Sequence, residues 1–489
     1  MKFSKDYFSD LRSDSVTLNI AKIRSHILEL CERRGGCATQ SDRFMYKYYH
    51  NNGPLLWIDR YGIDMKVDTL LKYIDGVEEI GFSKSAFFYR EIRDDVNRFR
   101  NLDFKGGNNS INEVFARLEY YLTKSYLRYI TGQRFGFVNP QIIFNKIDSA
   151  EHSTPQRPLY RRLFDINTER PDSNFFSQAI RIVSQRDYYA FFHEVQPRDS
   201  LYFRLKNELQ KSLSEDYRIK LICNLERSRW REEEYLSMGK KYIIVNIPSF
   251  HLYAYGGDTL LYMRIGCGSY KTKTPLLTSA IERMDVNPVW NIPMSIIKNE
   301  VSQHAGDTSY FARNKYYIVR RENGERVPVT EVSPAMLRSG EYRVSQESGD
   351  GNSLGRIIFR FANDFSVFLH DTSNRNVFAR TNRGVSHGCV RVQRPFDLAL
   401  YLHDDPDEWL VDRLRISMDI MPQTKRGIEY IRTQENNRKL INSISVNPHV
   451  PLFITYFTIY PDNKGQLTSY PDVYGYDEVI HQNIKLFMN

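Results

Sequence analysis

Two short runs of the sequence carry residues that could do nucleophilic chemistry. The run SHGCVRV occupies residues 386–392, and the run HDT occupies residues 370–372, one loop upstream. A cysteine thiol, a histidine imidazole and a glycine-containing backbone are the nucleophile, the base and the N–H donors that acyl transfer through a thioester requires. The sequence therefore predicts a thiol acyl-transfer site in which Cys389 is the nucleophile and His370 is its base.

Residues beside the nucleophile could support it in distinct ways. Backbone N–H groups near Gly388 and Cys389 are expected to hold the oxyanion, and glycine fits there because a side chain would crowd the substrate oxygen. Arg391 follows Cys389 by two positions, so in an extended strand it points to the same side and could neutralise a substrate carboxylate or brace the loop. His387 is a rival base, but its place next to the nucleophile favours shaping the loop or donating to substrate.

Ser386 and Asp371 complete the two runs and are expected in supporting positions near the substrate, although Asp371 could simply start a turn. Metal binding is an alternative use of the site, because His370, Asp371, His387 and Cys389 all carry ligand atoms. No CxxC or HxxxH spacing supports zinc, however. We therefore expect neither a metal ion nor another cofactor.

The surrounding pattern predicts how the two runs meet. Residues 357–361 and 366–370 are β-rich and are separated by an Asn-Asp turn signal, which predicts a hairpin ending at His370. The polar residues 372–385 predict a surface loop, after which Cys389 re-enters regular structure. Pro395 is expected to open a helix that anchors this loop from behind.

These residues, in this order, resemble the active-site signature of the L,D-transpeptidases, enzymes that cross-link bacterial peptidoglycan. Other segments resemble, in order, parts of the large multidomain members of Gram-negative envelopes. They are 221–230, 244–250, 273–275, 287–293, 351–355 and 451–456. So many ordered matches identify the chain as a member of that family.

The resemblance implies an α+β fold. A mainly helical scaffold is expected over 1–235, a mainly β catalytic domain over 236–410 and a C-terminal extension packing on that domain over 411–489. An insertion at about 303–346 is expected to cap the active site, either as a mobile lid or as a passive surface feature. Trp290 is expected at the cleft, either stacking on substrate or, more commonly for such a residue, anchoring a core.

The resemblance also implies a reaction. Cys389 would attack the third-position diamino acid of a donor tetrapeptide stem, release D-alanine, and pass the acyl group to the side-chain amine of an acceptor stem. The same site could instead act as an L,D-carboxypeptidase or attach the wall to a protein amine. A non-catalytic wall-binding scaffold is the alternative from another class. A carbapenem is expected to acylate Cys389.

Composition sets the outer limits. A chain of 489 residues with 41% hydrophobic residues is long enough for two or three domains with real cores. The net charge of +9 suits an anionic partner such as a wall polymer, without a basic run dense enough for nucleic acid. The charged run at 227–234 is expected to be a solvated helix face.

Location rests on the resemblance, which implies the bacterial periplasm or cell envelope. No stretch approaches the ~18 apolar residues of a membrane span, and residues 1–6 lack the apolar region of a signal peptide. An export signal absent from this sequence is therefore expected. Of five cysteines, Cys31 and Cys37 could form a small disulfide loop or remain thiols.

Overall fold

The computed structural model describes residues 18–33, 39–59, 62–63, 65–150, 153–154, 158–185, 188–231, 241–256, 259–433 and 439–488. Within these residues the chain forms two units. One unit contains residues 1–161, 167–236 and 458–489, and the other contains 162–166 and 237–457. Cys37, and with it the proposed disulfide loop, lies outside the described residues.

The first unit is mainly helical, as predicted. Its helices up to the second unit are α1 (Ile20–Arg33), α2 (Gln40–His50), α3 (Lys66–Asp75), α4 (Tyr89–Arg100), α5 (Ile111–Phe135), α6 (Pro140–Phe144), α7 (Ser173–Ser184), α8 (Tyr188–Glu194), α9 (Ser200–Leu209) and α10 (Glu215–Arg227). A two-stranded hairpin joins β1 (Ile58–Asp59) to β2 (Gly62–Ile63).

Helix α5 is the centre of this unit. It begins at a capping box, in which the Ser110 hydroxyl accepts from the Glu113 N–H and the Glu113 carboxylate accepts from the Ser110 N–H. Its Glu119 is fully buried and accepts hydrogen bonds from the backbone N–H of Trp57 at 3.0 Å and the Tyr49 hydroxyl at 2.7 Å. The buried carboxylate is thereby satisfied, and it holds an irregular segment against the helix.

The second unit is built on a large mixed sheet, as the change to β-branched and aromatic residues after position 240 predicts. Its strands are β3 (Phe164–Asp165), β4 (Lys241–Asn246), β5 (His251–Gly256), β6 (Thr259–Gly268), β7 (Leu276–Val286), β12 (Ile357–Phe361), β13 (Leu369–His370), β14 (Gly384–Ser386), β15 (Val390–Val392) and β16 (Ser443–Thr455). The order is β12-β13-β15-β6-β5-β4-β16-β7-β3, with β14 beside β6. Because β7 also pairs with β12, the ladder returns to its first strand.

An insertion in this unit has its own sheet and core. Its elements are β8 (Trp290–Asn291), β9 (Tyr316–Arg320), β10 (Arg326–Val327), β11 (Tyr342–Gln346), α11 (Met294–Asn299), α12 (Thr308–Arg313) and α13 (Pro334–Ser339). The sheet has the order β10-β9-β11-β8. Ile297, Phe311, Leu337 and Val344 are fully or almost fully buried at its centre, and Trp290 packs against them. We call residues 290–346 the cap; it begins earlier than the expected boundary at 303.

Three helices complete the second unit: α14 (Pro395–Tyr401), α15 (Glu408–Ser417) and α16 (Lys425–Thr433). Helix α14 begins at Pro395, as predicted. None of the helices in the described part of the chain combines the length and the apolar character needed to cross a bilayer.

The C-terminal residues do not form one extension on the catalytic domain. Strand β16 belongs to the large sheet, whereas β17 (Ile459–Pro461), β18 (Leu467–Ser469) and α17 (Tyr476–Ile484) belong to the helical unit. The physical reason is a set of buried polar contacts with α10. The Asn224 side chain accepts from the Thr458 N–H at 3.0 Å, and Arg227 bonds Asp477 at 2.5 Å.

Candidate active site

The register of two short parallel strands brings the predicted nucleophile and base to one face of the sheet. His370 on β13 is paired with Arg391 on β15, and Leu369 is paired with Val390. Paired residues of a parallel ladder point to the same side, and alternate residues share a face. Cys389 precedes Val390 and therefore lies on the face of Arg391 and His370, whereas Leu369 and Val390 are buried on the other.

The Cys389 thiol is partly exposed and is held by the tip of the predicted hairpin. Its Sγ lies 3.9 Å from the carbonyl oxygen of Ser366, a residue with φ +55°. Asn363 maintains this turn, because its Oδ1 accepts from the Phe365 N–H at 3.0 Å and the Val367 N–H at 3.1 Å. The turn therefore fixes a carbonyl acceptor beside the nucleophile.

Electrostatics leave this thiol neutral at rest. Burial raises the pKa of Cys389, whereas the Phe368 backbone N–H and the guanidinium groups of Arg391 and Arg360 lower that pKa to a smaller extent. The net direction is upward. A thiolate must therefore be generated when substrate binds, by a group that takes the proton.

His370 is the candidate for that group. It is only 4% exposed, and burial together with the nearby Arg391 lowers its pKa to about 4, against the opposing effect of the Asp371 and Leu354 carbonyls. The imidazole is therefore neutral at neutral pH. Its Nδ1 lies 2.5 Å from the Asp371 carbonyl oxygen, so in the neutral ring this nitrogen carries the proton.

The Asp371 carboxylate is engaged by protein groups. Its carboxylate accepts from the Arg356 backbone N–H at 2.9 Å and pairs with Arg375 at 3.0 Å. Gly355 is required opposite it, because a Cβ there would lie 2.4 Å from the carboxylate. These contacts fix the backbone whose carbonyl orients His370.

The turn before β12, at residues 351–355, holds a buried asparagine whose role the sequence does not reveal. Asn352 is fully buried in it; its side chain donates to the Glu347 carbonyl at 2.8 Å and accepts from the Leu354 N–H at 2.8 Å. This places the Leu354 carbonyl that also acts on His370. The signal available in the sequence was a polar residue among glycines in a turn.

The loop before Cys389 differs in detail from the expectation. Gly388 has φ +123°, and a Cβ there would be no closer than 3.7 Å to another atom, so its backbone conformation, not crowding by protein atoms, requires glycine. Its N–H donates to the Ser386 hydroxyl at 3.1 Å, and that hydroxyl donates to the Cys389 carbonyl at 2.6 Å. Ser386 therefore braces the loop, and the Gly388 N–H is already engaged.

Two threonines in the loop between β6 and β7 hold the loop before Cys389, and neither of them was assigned from the sequence. The Thr272 hydroxyl donates to the Ser386 carbonyl at 2.7 Å, and the Thr274 hydroxyl donates to the Gly388 carbonyl at 2.8 Å. The resemblance of residues 273–275 to the family was the sequence signal for Thr274, and Thr272 lies outside that segment. Both contacts join residues more than a hundred positions apart, which local patterns cannot reveal.

The other predicted site residues, His387, Trp290 and Arg391, have different surroundings. His387 is half-exposed, and its Nε2 lies 2.8 Å from the Glu300 carboxylate of the cap. Trp290 packs on the core of the cap. Arg391 is within electrostatic range of both Cys389 and His370, and its Nε is buried with no hydrogen-bond acceptor among the described residues.

A thiol and a neutral imidazole on one face of a sheet are the two groups that acyl transfer through a thioester requires. Residues 240–414 match the family model of the L,D-transpeptidase catalytic domain, YkuD, and residues 44–209 match a model described as a scaffold domain. Residues 240–414 therefore form a domain of the L,D-transpeptidase catalytic family. The predicted order of a helical scaffold followed by a β-rich catalytic domain is confirmed.

One curated relative supports the same family. A Haemophilus influenzae protein named "Putative L,D-transpeptidase" is 30% identical over 244 residues. That match covers 49% of this chain and 45% of the relative, so it spans about half the length of each protein.

The low pKa of His370 predicts that the rate of Cys389 acylation falls only at an unusually low pH. With a folded-state pKa of about 4 against an ordinary 6.5, the neutral base persists as pH falls through 6.5 and is lost only near 4. The stability that goes with the neutral ring is present above 6.5 and is lost as pH falls through 4. We expect acylation of Cys389 by p-nitrophenyl acetate to show no histidine inflection between about pH 5 and 7.

The measurement is the rate of nitrophenol release, corrected with Cys389→Ala, with circular dichroism at each pH to exclude unfolding. An inflection near pH 6.5 that disappears in His370→Gln would contradict this account of the base.

Proposed function

We propose that this protein is a peptidoglycan L,D-transpeptidase of the periplasm or cell envelope. It would form direct links between the third-position diamino acids of two stem peptides through a thioester on Cys389 and release D-alanine. The observation that carries the proposal is the parallel register of β13 and β15, which puts His370, Arg391 and Cys389 on one face.

The chemistry can be followed proton by proton. As Cys389 Sγ attacks the donor carbonyl, its proton passes to the neutral His370 ring, and an N–H at Cys389 stabilises the oxyanion. The resulting imidazolium returns this proton to the departing nitrogen of D-alanine. An acceptor amine then attacks the thioester and loses its proton through the same ring, and the thiol is regenerated.

Arg391 would recognise the donor peptide by binding its terminal carboxylate. Its positive charge opposes protonation of His370, and its Nε has no hydrogen-bond acceptor among the described residues. A carboxylate placed there would satisfy the guanidinium and make the imidazolium less costly. The terminal D-alanine of a tetrapeptide donor carries such a carboxylate, so Arg391 is assigned to hold it.

The cap would control which acceptor reaches the thioester. Its Glu300 meets His387 next to the nucleophile, yet both side chains are about half-exposed, so the pair is worth only about 0.2–1 kcal/mol. Such a contact can be broken easily, which suits a cap that opens for substrate and closes to limit water. L,D-carboxypeptidase activity remains an outcome of the test below.

Purified protein incubated with disaccharide-tetrapeptide should give a cross-linked dimer and free D-alanine by mass spectrometry. Cys389→Ala should give neither product, because no thioester can form. D-alanine loss without a dimer would favour a carboxypeptidase, and retained binding with no turnover in the wild type would favour a non-catalytic scaffold. A carbapenem should add covalently to Cys389 and to no other residue in a peptide map.

The assigned role of Arg391 can be tested separately. Arg391→Gln should lower kcat/KM for D-alanine release by about 10- to 100-fold, the range for losing a hydrogen bond to a charged group. With a donor whose terminal carboxylate is amidated, the wild type should already show most of that loss, and the substitution should add little. Arg380→Gln removes a neighbouring exposed charge and serves as the control. An equal loss on both donors would show that Arg391 does not read the carboxylate.

A further inference from the structure

We propose that Thr274 is a positioning residue for the oxyanion donor, acting through the peptide bond between Gly388 and Cys389. The inference rests on the proposed acyl-transfer function and specifies which N–H stabilises the oxyanion and what aims it.

Thr274 is fixed on both sides of its hydroxyl. The residue is fully buried, and its Oγ1 accepts from the Gly268 N–H at 2.9 Å while donating to the Gly388 carbonyl at 2.8 Å. Glycine at position 268 lets the chain at Thr272–Thr274 lie this close, because a Cβ on Gly268 would lie 2.1 Å from the Thr272 carbonyl oxygen. The hydroxyl therefore has one defined donor direction, toward the carbonyl of Gly388.

The direction of that carbonyl determines the direction of the next N–H. The Gly388–Cys389 peptide is trans, since Asn447–Pro448 is the cis bond among the described residues. In a planar trans peptide the C=O and the N–H point in opposite directions. Because Thr274 holds the carbonyl oxygen of this peptide, the Cys389 N–H points away from the loop between β6 and β7.

The neighbouring hydrogen bonds leave this N–H available. The Gly388 N–H is taken by the Ser386 hydroxyl, and the Cys389 carbonyl accepts from the same hydroxyl. No hydrogen-bond acceptor for the Cys389 N–H is found in the part of the chain that the structure describes. Of the two N–H groups expected at the oxyanion, the one on Cys389 is thus free and pre-oriented.

Preorganisation of this kind has a large effect on rate. Loss of one oxyanion donor typically costs about 10²- to 10³-fold, and a misplacement of about 1 Å costs about 10²-fold. The effect is restricted to reactions that develop negative charge on a carbonyl oxygen. Alkylation of the same sulfur by iodoacetamide passes through no oxyanion and should not depend on Thr274.

The experiment compares both reactions at Cys389 in the full chain. Thr274→Val removes the hydroxyl at nearly constant volume, Thr274→Ser retains it, and Thr455→Val is the control for losing a different buried threonine that bonds a carbonyl. Peptide mapping gives rate constants for acylation by a carbapenem and for alkylation by iodoacetamide.

We expect Thr274→Val to slow acylation by about 30- to 100-fold, with alkylation within about 3-fold of the wild type. Thr274→Ser and Thr455→Val should keep both rates within about 3-fold. Equal loss of both rates in Thr274→Val would reduce Thr274 to a structural residue, and unchanged acylation would also overturn the proposal. A wild type that is alkylated but never acylated would instead reject the proposed function itself.

Discussion

The site depends on two parallel hydrogen-bonded strands of only a few residues. Strand β13 ends the hairpin that begins at β12, and β15 starts where the loop after His370 returns to the sheet. A one-residue slip between them would turn either the base or the nucleophile to the buried face. The turn at Asn363, the buried Asn352 and the Asp371–Arg375 pair all act on this register, although each belongs to a different segment.

The electrostatics of the pair follow from its position at the sheet surface. Burial disfavours charge on both groups, so the resting pair is a thiol and an imidazole, not a thiolate and an imidazolium. Arg391 lowers the pKa of both groups, and it therefore favours the charged form of the thiol and the neutral form of the imidazole. An anionic substrate would change this balance at the moment of binding, which couples recognition of the donor to activation of the nucleophile.

Sequence patterns predicted what is local and failed where partners are distant. The hairpin ending at His370 and the helix beginning at Pro395 were both predicted. The contact of Thr274 with the Gly388 carbonyl joins separate segments, so local patterns could not reveal it. The run at 227–234 was expected to be solvated. Residues 232–234 lie outside the described residues, and Arg229 is fully buried, with its guanidinium facing the rings of Phe137 and Tyr202 at 5.3 and 5.2 Å.

The most direct test of the central claim is a crystal structure of the protein after reaction with a carbapenem. The account predicts a covalent bond at Cys389 Sγ, an acyl oxygen at about 3 Å from the Cys389 nitrogen, and the His370 ring on the same face of the sheet. An adduct at another cysteine, or His370 turned to the opposite face in the acyl-enzyme, would contradict it.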